Sequence, residues 1–352
     1  MPRPRLGAAV GRLTESKLFF PLVVLSLILL FDLIFDPAFF NLQIIDGHLY
    51  GSLVDIFRNG STIMLLAIGM TLVIATGGVD LSVGAVMAIS ASVAAILINP
   101  DIKSLVTDPD LTVTPLPIVI LVTLFVATLC GVWNGMLVAF GGIQPMVATL
   151  ILMIAGRGIA QLITTGTRIQ IFYEPYAYLG NGWIVVPVSL LIVGGVFVAA
   201  WLMTRRTALG MFIESVGINA RSSFFSGINE KLVKLFAYMF CGFCAGMAGL
   251  VASSNIRTSD ANNIGLNFEL DAILAVVIGG TALGAGGRFS LLASIVGALV
   301  IQAITTSMYA VGVPANALLA VKGVVVILVI LVLSAQVRDV VRRLVSQAPQ
   351  AT

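Results

Sequence analysis

Charge is what this sequence has least of. Only 10% of its 352 residues are Asp, Glu, Lys or Arg, against about 25% in an average soluble domain. With 59% hydrophobic residues and a mean hydropathy of +1.09, the chain lacks the polar surface of a soluble globule and reads as a polytopic membrane protein. Histidine is nearly missing, His48 being the single one, in an expected outer loop. No H-E-x-x-H, no G-x-S-x-G and no cysteine–histidine metal spacing occurs. Acid pairs such as Glu269/Asp271 exist, but residues at i,i+2 do not share a helix face. No nucleophile–base or metal constellation can be assembled, which argues against an enzyme. The phosphate-binding pattern G-x-x-x-x-G-K-S/T is also absent, so if nucleotide drives this protein another chain binds it.

Cysteine is scarce too. Cys130, Cys241 and Cys244 all lie in apolar runs. Cys241-Gly-Phe-Cys244 matches C-x-x-C, yet no soluble redox fold surrounds it and no second ligand pair follows. Small buried helix residues are the first reading, because free cysteine behaves as a small hydrophobe; redox or metal chemistry is the alternative. The net charge of +3 does not point to nucleic acid, because the basic residues cluster where apolar runs end.

What the chain does have is long apolar runs. A crossing takes about 20 apolar residues, which predicts an all-α transmembrane bundle with spans near 18–36, 60–76, 79–98, 117–140, 145–165, 183–203, 233–255, 268–284, 289–310 and 317–335. The first run is too long for a signal peptide and no A-x-A-like site follows it, so it reads as a retained span. Breaks fall at Gly77-Gly78, Asn99-Pro100, Gly141-Gly142, Arg205-Arg206 and Gly286-Gly287. The 35 glycines suit membrane helices that approach closely.

Ten spans can be checked against charge, since Lys and Arg favour the cytoplasmic side. With the N-terminus inside, thirteen Lys and Arg residues fall in inner segments and four (Arg58, Lys103, Arg168, Arg257) in outer ones, Arg157 and Lys322 lying within spans. Both termini are therefore expected in the cytoplasm. The organisation is a cytoplasmic tail over 1–17, a transmembrane domain over 18–335 with a cytoplasmic loop at 204–232, and a second tail over 336–352.

The run from Met64 to Ile98 carries one charge, Asp80, inside Ile-Ala-Thr-Gly-Gly-Val-Asp-Leu-Ser. As one helix it would be about 52 Å long, too long for a core of about 30 Å, so it is expected to break at Gly77-Gly78. Asp80 then stands where an N-cap of the next helix belongs. A role for Asp80 in gating or substrate passage, and contact with a partner subunit, are the alternatives. Gly77, Gly78, Asp80, Ser82, Asn134, Arg157 and Gln161 are the candidate gating or translocation residues. A faint internal echo sets Gly77-Gly78 after Ile68-Gly-Met-Thr71 against Gly286-Gly287 after Ile278-Gly-Gly-Thr281.

Asp32, Arg157, Asp271 and Lys322 are the ionisable residues within the spans. The guanidinium of Arg157, flanked by Gly156 and Gly158, is read as satisfied by carbonyls or a neighbouring acid, with pathway lining as the alternative. Asp271 reads as a buried anchor, Glu269 as marking a membrane entrance, Asp32 and Lys322 as interface residues. Titratable carboxylates are few, which weighs against proton coupling. Asn134, Gln144, Thr149, Gln161, Thr164 and Thr165 can serve a hydroxylated, uncharged solute, or simply tie helices together. Trp133 is read as a packing or interface residue.

The segment Thr204–Asn229 alternates glycines with short amphipathic pieces. It fits either the lipid surface or a groove on a soluble partner, and the partner reading is preferred. It resembles the cytoplasmic coupling segment of bacterial ABC importer permeases of the ribose/galactofuranose class, whose pattern is close to T-x-x-G-x-x-I-x-A-x-G-x-N-x-x-A-A-x-x-x-G-I. Thr207, Gly210, Ile213, Gly217, Asn219, Gly227 and Ile228 match it; Ser215 replaces the first alanine and Ser222-Ser223 the usual pair. From about Leu65 to Leu333, stretches such as LLAIGMTLVIATGGVDLSVGAVMAI, QPMVATLILMIAGRGIAQLIT and DANNIGLNFELDAILAVVIGGTALGAGGRF look like family signatures, several of them specifically those of galactofuranose-uptake members.

The resemblance implies one half of a dimeric transmembrane domain in the bacterial inner membrane. A related but distinct second permease is the expected other half, with a homodimer as the alternative. A cytoplasmic ATPase would carry ATP and Mg, this chain holding no cofactor, and a periplasmic sugar-binding protein would deliver the cargo, galactofuranose. Gly210, Glu214, Gly217, Asn219, Arg221 and Gly227 are the expected ATPase-coupling residues. The outer segments around Asp260-Ala-Asn-Asn-Ile-Gly and Asp101–Asp110 are candidate docking surfaces for the binding protein. A secondary, ion-coupled sugar carrier without an ATPase is the competing reading.

Overall fold

The computed structural model describes residues 18–45, 48–99, 114–284, 286–314 and 316–333. The two expected tails and the segment Asp101–Asp110 lie outside the described residues. Among the described residues are thirteen α-helices: α1 (Phe19–Phe35), α2 (Ser52–Ala75), α3 (Val83–Ile98), α4 (Leu116–Ala139), α5 (Pro145–Ile163), α6 (Glu174–Asn181), α7 (Val188–Arg206), α8 (Leu209–Ile218), α9 (Ala220–Phe225), α10 (Glu230–Asn255), α11 (Phe268–Ile278), α12 (Leu291–Ala310) and α13 (Leu318–Leu333). The chain is not wholly helical. A short ribbon pairs β1 (Gln43–Ile45) with β2 (His48–Tyr50), and a second pairs β3 (Ile169–Gln170) with β4 (Thr258–Ser259), both antiparallel. His48 thus lies in a strand rather than a loop.

Every expected span falls on a helix, but six helices are long and apolar enough to cross a membrane by length and composition: α2, α4, α5, α7, α10 and α12. The expected span 268–284 is corrected. Its helix α11 has 11 residues, about 16 Å of rise, and ends where Gly280 takes a left-handed φ of +80°. Gly280 N–H then donates to Val277 O and Thr281 N–H to Val276 O, the paired bonds of a Schellman end. Conversely, α2 starts at Ser52 rather than near 60. Asp55 lies in its first turn and pairs with Arg58 at 3.0 Å, so a polar turn extends the apolar helix.

The centre of the bundle is α2, buried without interruption from Gly60 to Ala75. Helices α10, α11 and α12 pack around it, and α7 closes one side. Thr71 and Ser294 share a 2.8 Å hydrogen bond that ties α2 to α12. Helices α4 and α10 also approach closely: a Cβ on Gly242 would lie 2.6 Å from Ala127 O and 2.8 Å from Gly131 Cα, so the two backbones touch only because neither glycine carries a side chain. Cys241 and Cys244 are fully buried against Gly69 of α2. Helices α4, α5 and α7 are mostly exposed along their apolar faces. Leu121, Phe125, Leu129 and Trp133 recur every four residues of α4 and lie on its surface, as a lipid- or subunit-facing stripe would.

Candidate functional site

Two clusters of polar and glycine residues stand at different levels of the bundle, set apart along α5 by the eight residues from Thr149 to Arg157. The first forms where α2 ends. Gly77, at φ +85°, donates its N–H to Ile74 O at 2.9 Å, and Gly78 donates to Val73 O at 3.1 Å. That is a Schellman end, the same device that stops α11. The echo between the two regions therefore pairs Gly77-Gly78 with Gly280-Thr281, and the expected pairing with Gly286-Gly287 is out of place.

After the break each residue is held by a different element. Tyr238 of α10 donates its hydroxyl to Val79 O at 3.3 Å, and Leu81 N–H donates to Thr149 Oγ1 of α5 at 3.1 Å. Asp80 is buried. Its Oδ1 accepts from Ser82 N–H at 2.9 Å, Ser82 Oγ at 2.7 Å and Asn134 Nδ2 of α4 at 3.3 Å. Asn134 Nδ2 also reaches Ser82 Oγ at 2.7 Å. The expected cap is corrected: Ser82, not Asp80, occupies the N-cap position of α3, without a side-chain cap bond. Asp80 serves the amide before the helix, and its carboxylate is committed to a knot between α4 and the break. Asn134 Oδ1 is buried with no partner among the described residues.

The loop of 204–229 folds onto the same end. Thr207 Oγ1 turns back to Met203 O and accepts Leu209 N–H at 3.2 Å, which starts α8. Ile213 and Val216 are buried under α8, whereas Met211 and Ile218 are exposed. Asn219 caps α9 by accepting Ser222 N–H at 3.0 Å, and Asn229 caps α10 through Leu232 N–H at 3.2 Å, as asparagine does at N-caps. Gly227 makes the intervening turn at φ +83°. Gly210 lies against Thr204 O so tightly that a Cβ would overlap it.

Gly217 joins the loop to the break. A Cβ there would run into Ala75 O and Gly287 N, two atoms already hydrogen-bonded at 2.8 Å. Gly286 in turn abuts Gly217. The end of α2, the helix α8 and the 286–287 segment thus converge backbone on backbone. Glu214 is half-buried, Arg221 is exposed, and Phe224 and Phe225 are exposed at 63% and 77%.

The second cluster lies further along α5. Arg157 Nη1 donates to Ala261 O at 3.0 Å and Ile264 O at 2.5 Å. Gln161 Nε2 donates to Asn262 Oδ1 at 2.6 Å. Both therefore brace the 256–267 connection and stand apart from Asp80. Gly156 packs on Ala85, while Gly158 faces open space. Asp260 Oδ2 accepts from Arg168 at 2.8 Å and Asn263 Nδ2 at 2.7 Å, and Oδ1 accepts Asn262 N–H at 3.0 Å. Burial pushes the Asp260 carboxyl up, but the bonds from Asn263, Arg168 and Asn262 outweigh it and hold its pKa below the ordinary aspartate value. Asp260, Ala261 and Ile264 are buried and only Asn262 and Asn263 are exposed, so this segment is a poorer docking surface than its polarity suggests.

Between the clusters, Lys322 and Asp271 form a 2.7 Å ion pair across α13 and α11, and Ser307 Oγ donates to Asp32 Oδ2 at 2.7 Å. Asp32 and Glu269 are both buried within the bundle. Among the described residues no three His, Cys, Asp or Glu side chains are grouped to hold a metal. Sequence reasoning missed Ala75, Gly287 and Tyr238, whose roles come from atoms distant in the chain and carry no local signature.

A bundle of apolar helices with its polar side chains tied inward has the build of a permease, and residues 52–331 match the family model described as branched-chain amino acid transport system / permease component. The chain belongs to this permease family. A galactofuranose transporter permease protein of Escherichia coli (strain K12) is 46% identical over 314 residues, 89% of this chain and 88% of the relative. A fructose import permease protein of Bifidobacterium longum is 36% identical, covering 91% and 88%. A ribose import permease protein of Escherichia coli (strain K12) is 33% identical, covering 91% and 94%. No solved structure matches the permease. Its family is the membrane component of transport systems, not an enzyme.

Proposed function

We propose that this permease is the transmembrane subunit of an ATP-driven importer that carries a monosaccharide, galactofuranose first among candidates, across the bacterial inner membrane. The observation that carries the proposal is the Gly217 junction: helix α8, followed at once by α9 with its exposed Phe224 and Phe225, is locked, without intervening side chains, onto the end of the central helix α2. A force applied at α8–α9 reaches α2 and the Asp80 knot directly. The preference for galactofuranose rests on the relative that shares 46% identity.

In this reading a separate ATPase, holding ATP and Mg, docks at α8–α9, which makes Gly210, Glu214, Gly217, Asn219, Arg221 and Gly227 coupling residues. Asn219 and Gly227 act there by shaping the segment, and Arg221 by touching the partner. A second permease subunit, different from this one, completes the pathway, and a periplasmic binding protein delivers the sugar. The protein crosses the membrane about ten times, and both termini face the cytoplasm; the excess of Lys and Arg on one side supports that orientation. Gly77, Gly78, Asp80, Ser82 and Asn134 form the inner gate region.

The test is co-purification with the candidate ATPase. Phe224→Ser with Phe225→Ser changes only exposed side chains, whereas Gly217→Arg would wreck the junction as well. Association lost in the still-inserted Phe variant supports the proposal. Sugar transport by the permease in liposomes without ATP or ATPase would instead establish a secondary carrier.

A further inference from the structure

We infer that the end of the permease opposite the coupling segment holds a subsite for a neutral, polyhydroxylated solute of monosaccharide class. The inference rests on the sugar-import proposal and adds to it the place within this chain where cargo is held.

A cavity of about 530 Å³ lies there, lined by Asn59 and Thr62 of α2, Asn255 of α10, Asn263 of the following connection and Gln302 of α12. The volume is in the range of small-molecule sites, about 300–1,000 Å³. It also reaches deep. Thr62 lies ten residues past Ser52, the start of α2, or about 15 Å along the helix, and Met87 on the cavity wall belongs to the second turn of α3. By the position of Thr62, the pocket extends about 15 Å inward along α2.

Its chemistry selects the solute. The one acid and one base on the wall, Asp260 and Arg168, are paired with each other at 2.8 Å, so no unpaired charge remains to call for an ion. The rest of the polar lining is amide and hydroxyl, groups that both donate and accept. Asn255 Nδ2 donates to Asn59 Oδ1 at 3.1 Å, which still leaves the Asn59 N–H groups and the Asn255 carbonyl. Asn263 gives one N–H to Asp260 and Gln302 one to Thr306, and each keeps its carbonyl. Adjacent sugar hydroxyls, each donor and acceptor, match such a set. Phe268 adds a ring to the wall for the apolar face of a pyranose or furanose. Arg157 and Gln161 do not line the cavity; they hold its 260–265 wall from behind. By contrast, the groove of about 480 Å³ between α1, α12 and α13 is lined by apolar residues such as Leu27, Phe31 and Leu328 and suits an acyl chain.

Two measurements test the subsite in the complex reconstituted with its ATPase and binding protein. Thr62→Val and Gln302→Met remove polar groups with little change of shape. Import of ribose, fructose or galactose is expected to fall about five- to tenfold, as expected for a lost buried hydrogen bond, while the variant complexes assemble as the wild type does. In a Cys130→Ser background, a Gln302→Cys variant is expected to react with a membrane-impermeant methanethiosulfonate, and millimolar sugar to slow that reaction severalfold. Import at the wild-type rate by both variants, or labelling unaffected by any of the three sugars, overturns the subsite and leaves a water-filled vestibule. If the wild-type complex imports no sugar with ATP yet sugar still slows labelling, the import reading falls and the subsite stands.

Discussion

Gly287 N–H donates to Ala75 O at 2.8 Å, and Gly217 lies against both atoms. Three segments separated by long stretches of sequence thereby share one contact with no side chain between them. Backbones in such contact move together, because no flexible side chain is present to absorb a displacement.

Gly217→Ala is therefore expected to cost about 1–3 kcal/mol through overpacking and to uncouple the loop from α2. The check is the thermal transition of the purified permease in detergent alongside ATP-dependent import. Import lost out of proportion to a small change in melting supports coupling through the junction; wild-type behaviour in both overturns it.

Asp80→Asn keeps an oxygen for Ser82 N–H and the Ser82 hydroxyl, the two shorter of the three bonds made by Oδ1. Import is expected within about twofold of wild type, because the amide oxygen accepts those two hydrogen bonds as the carboxylate does. Asp80→Ala leaves those donors buried and unpaired, at about 1–3 kcal/mol. A dead but fully inserted and stable Asp80→Asn would show that the charge itself takes part in transport.

Lys322 and Asp271 are nearly enclosed, at 12% and 17% side-chain exposure. Lys322→Met strands a carboxylate and is expected to destabilise the permease by about 3–5 kcal/mol, loosening α13 from α11. Adding Asp271→Leu is expected to recover most of that loss, the pair being coupled. Melting of the single and double variants decides it; additive losses would mean that the two groups do not act as a pair.

Because the Asp260 carboxyl is held below its ordinary value of 3.8, ionised Asp260 contributes stability that is complete above that value and fades as pH falls through the lower folded value. Arg168 is 64% exposed, so solvent screens part of the effect. A melting difference between wild type and Asp260→Asn is expected at pH 7 and is expected to shrink below pH 4. A difference independent of pH would assign the contribution to packing alone.

How much of this was legible in the sequence varies with the distance over which each feature acts. The break after α2 could be read from one window, because a single charge and two glycines interrupt an apolar run. The shape of the loop at 204–229 was legible too, since glycine and asparagine positions set turns and caps locally. The Asp80 cap was misplaced by two residues: Asp80 and Ser82 are both tied to Asn134, which lies 52 residues from Ser82 along the chain and leaves no local signature. Arg157 was read correctly as satisfied by carbonyls, though which carbonyls no pattern told.

The sequence by itself determined the class of the protein, because charge is scarce and its apolar runs have the length of about 20 residues that a spanning helix needs. It also determined the membership of the permease family, carried by polar and glycine positions in register. Tertiary structure decided the length of α11, since glycine alone does not end a helix: Gly60 and Gly69 lie within α2, whereas Gly280 takes a left-handed φ. It decided as well that Gly217 meets Ala75 and that Asn59 shares a cavity with Gln302. Such contacts depend on how apolar helices rotate against one another. Those rotations follow from packing over the whole surface of each helix, which no single stretch of sequence encodes.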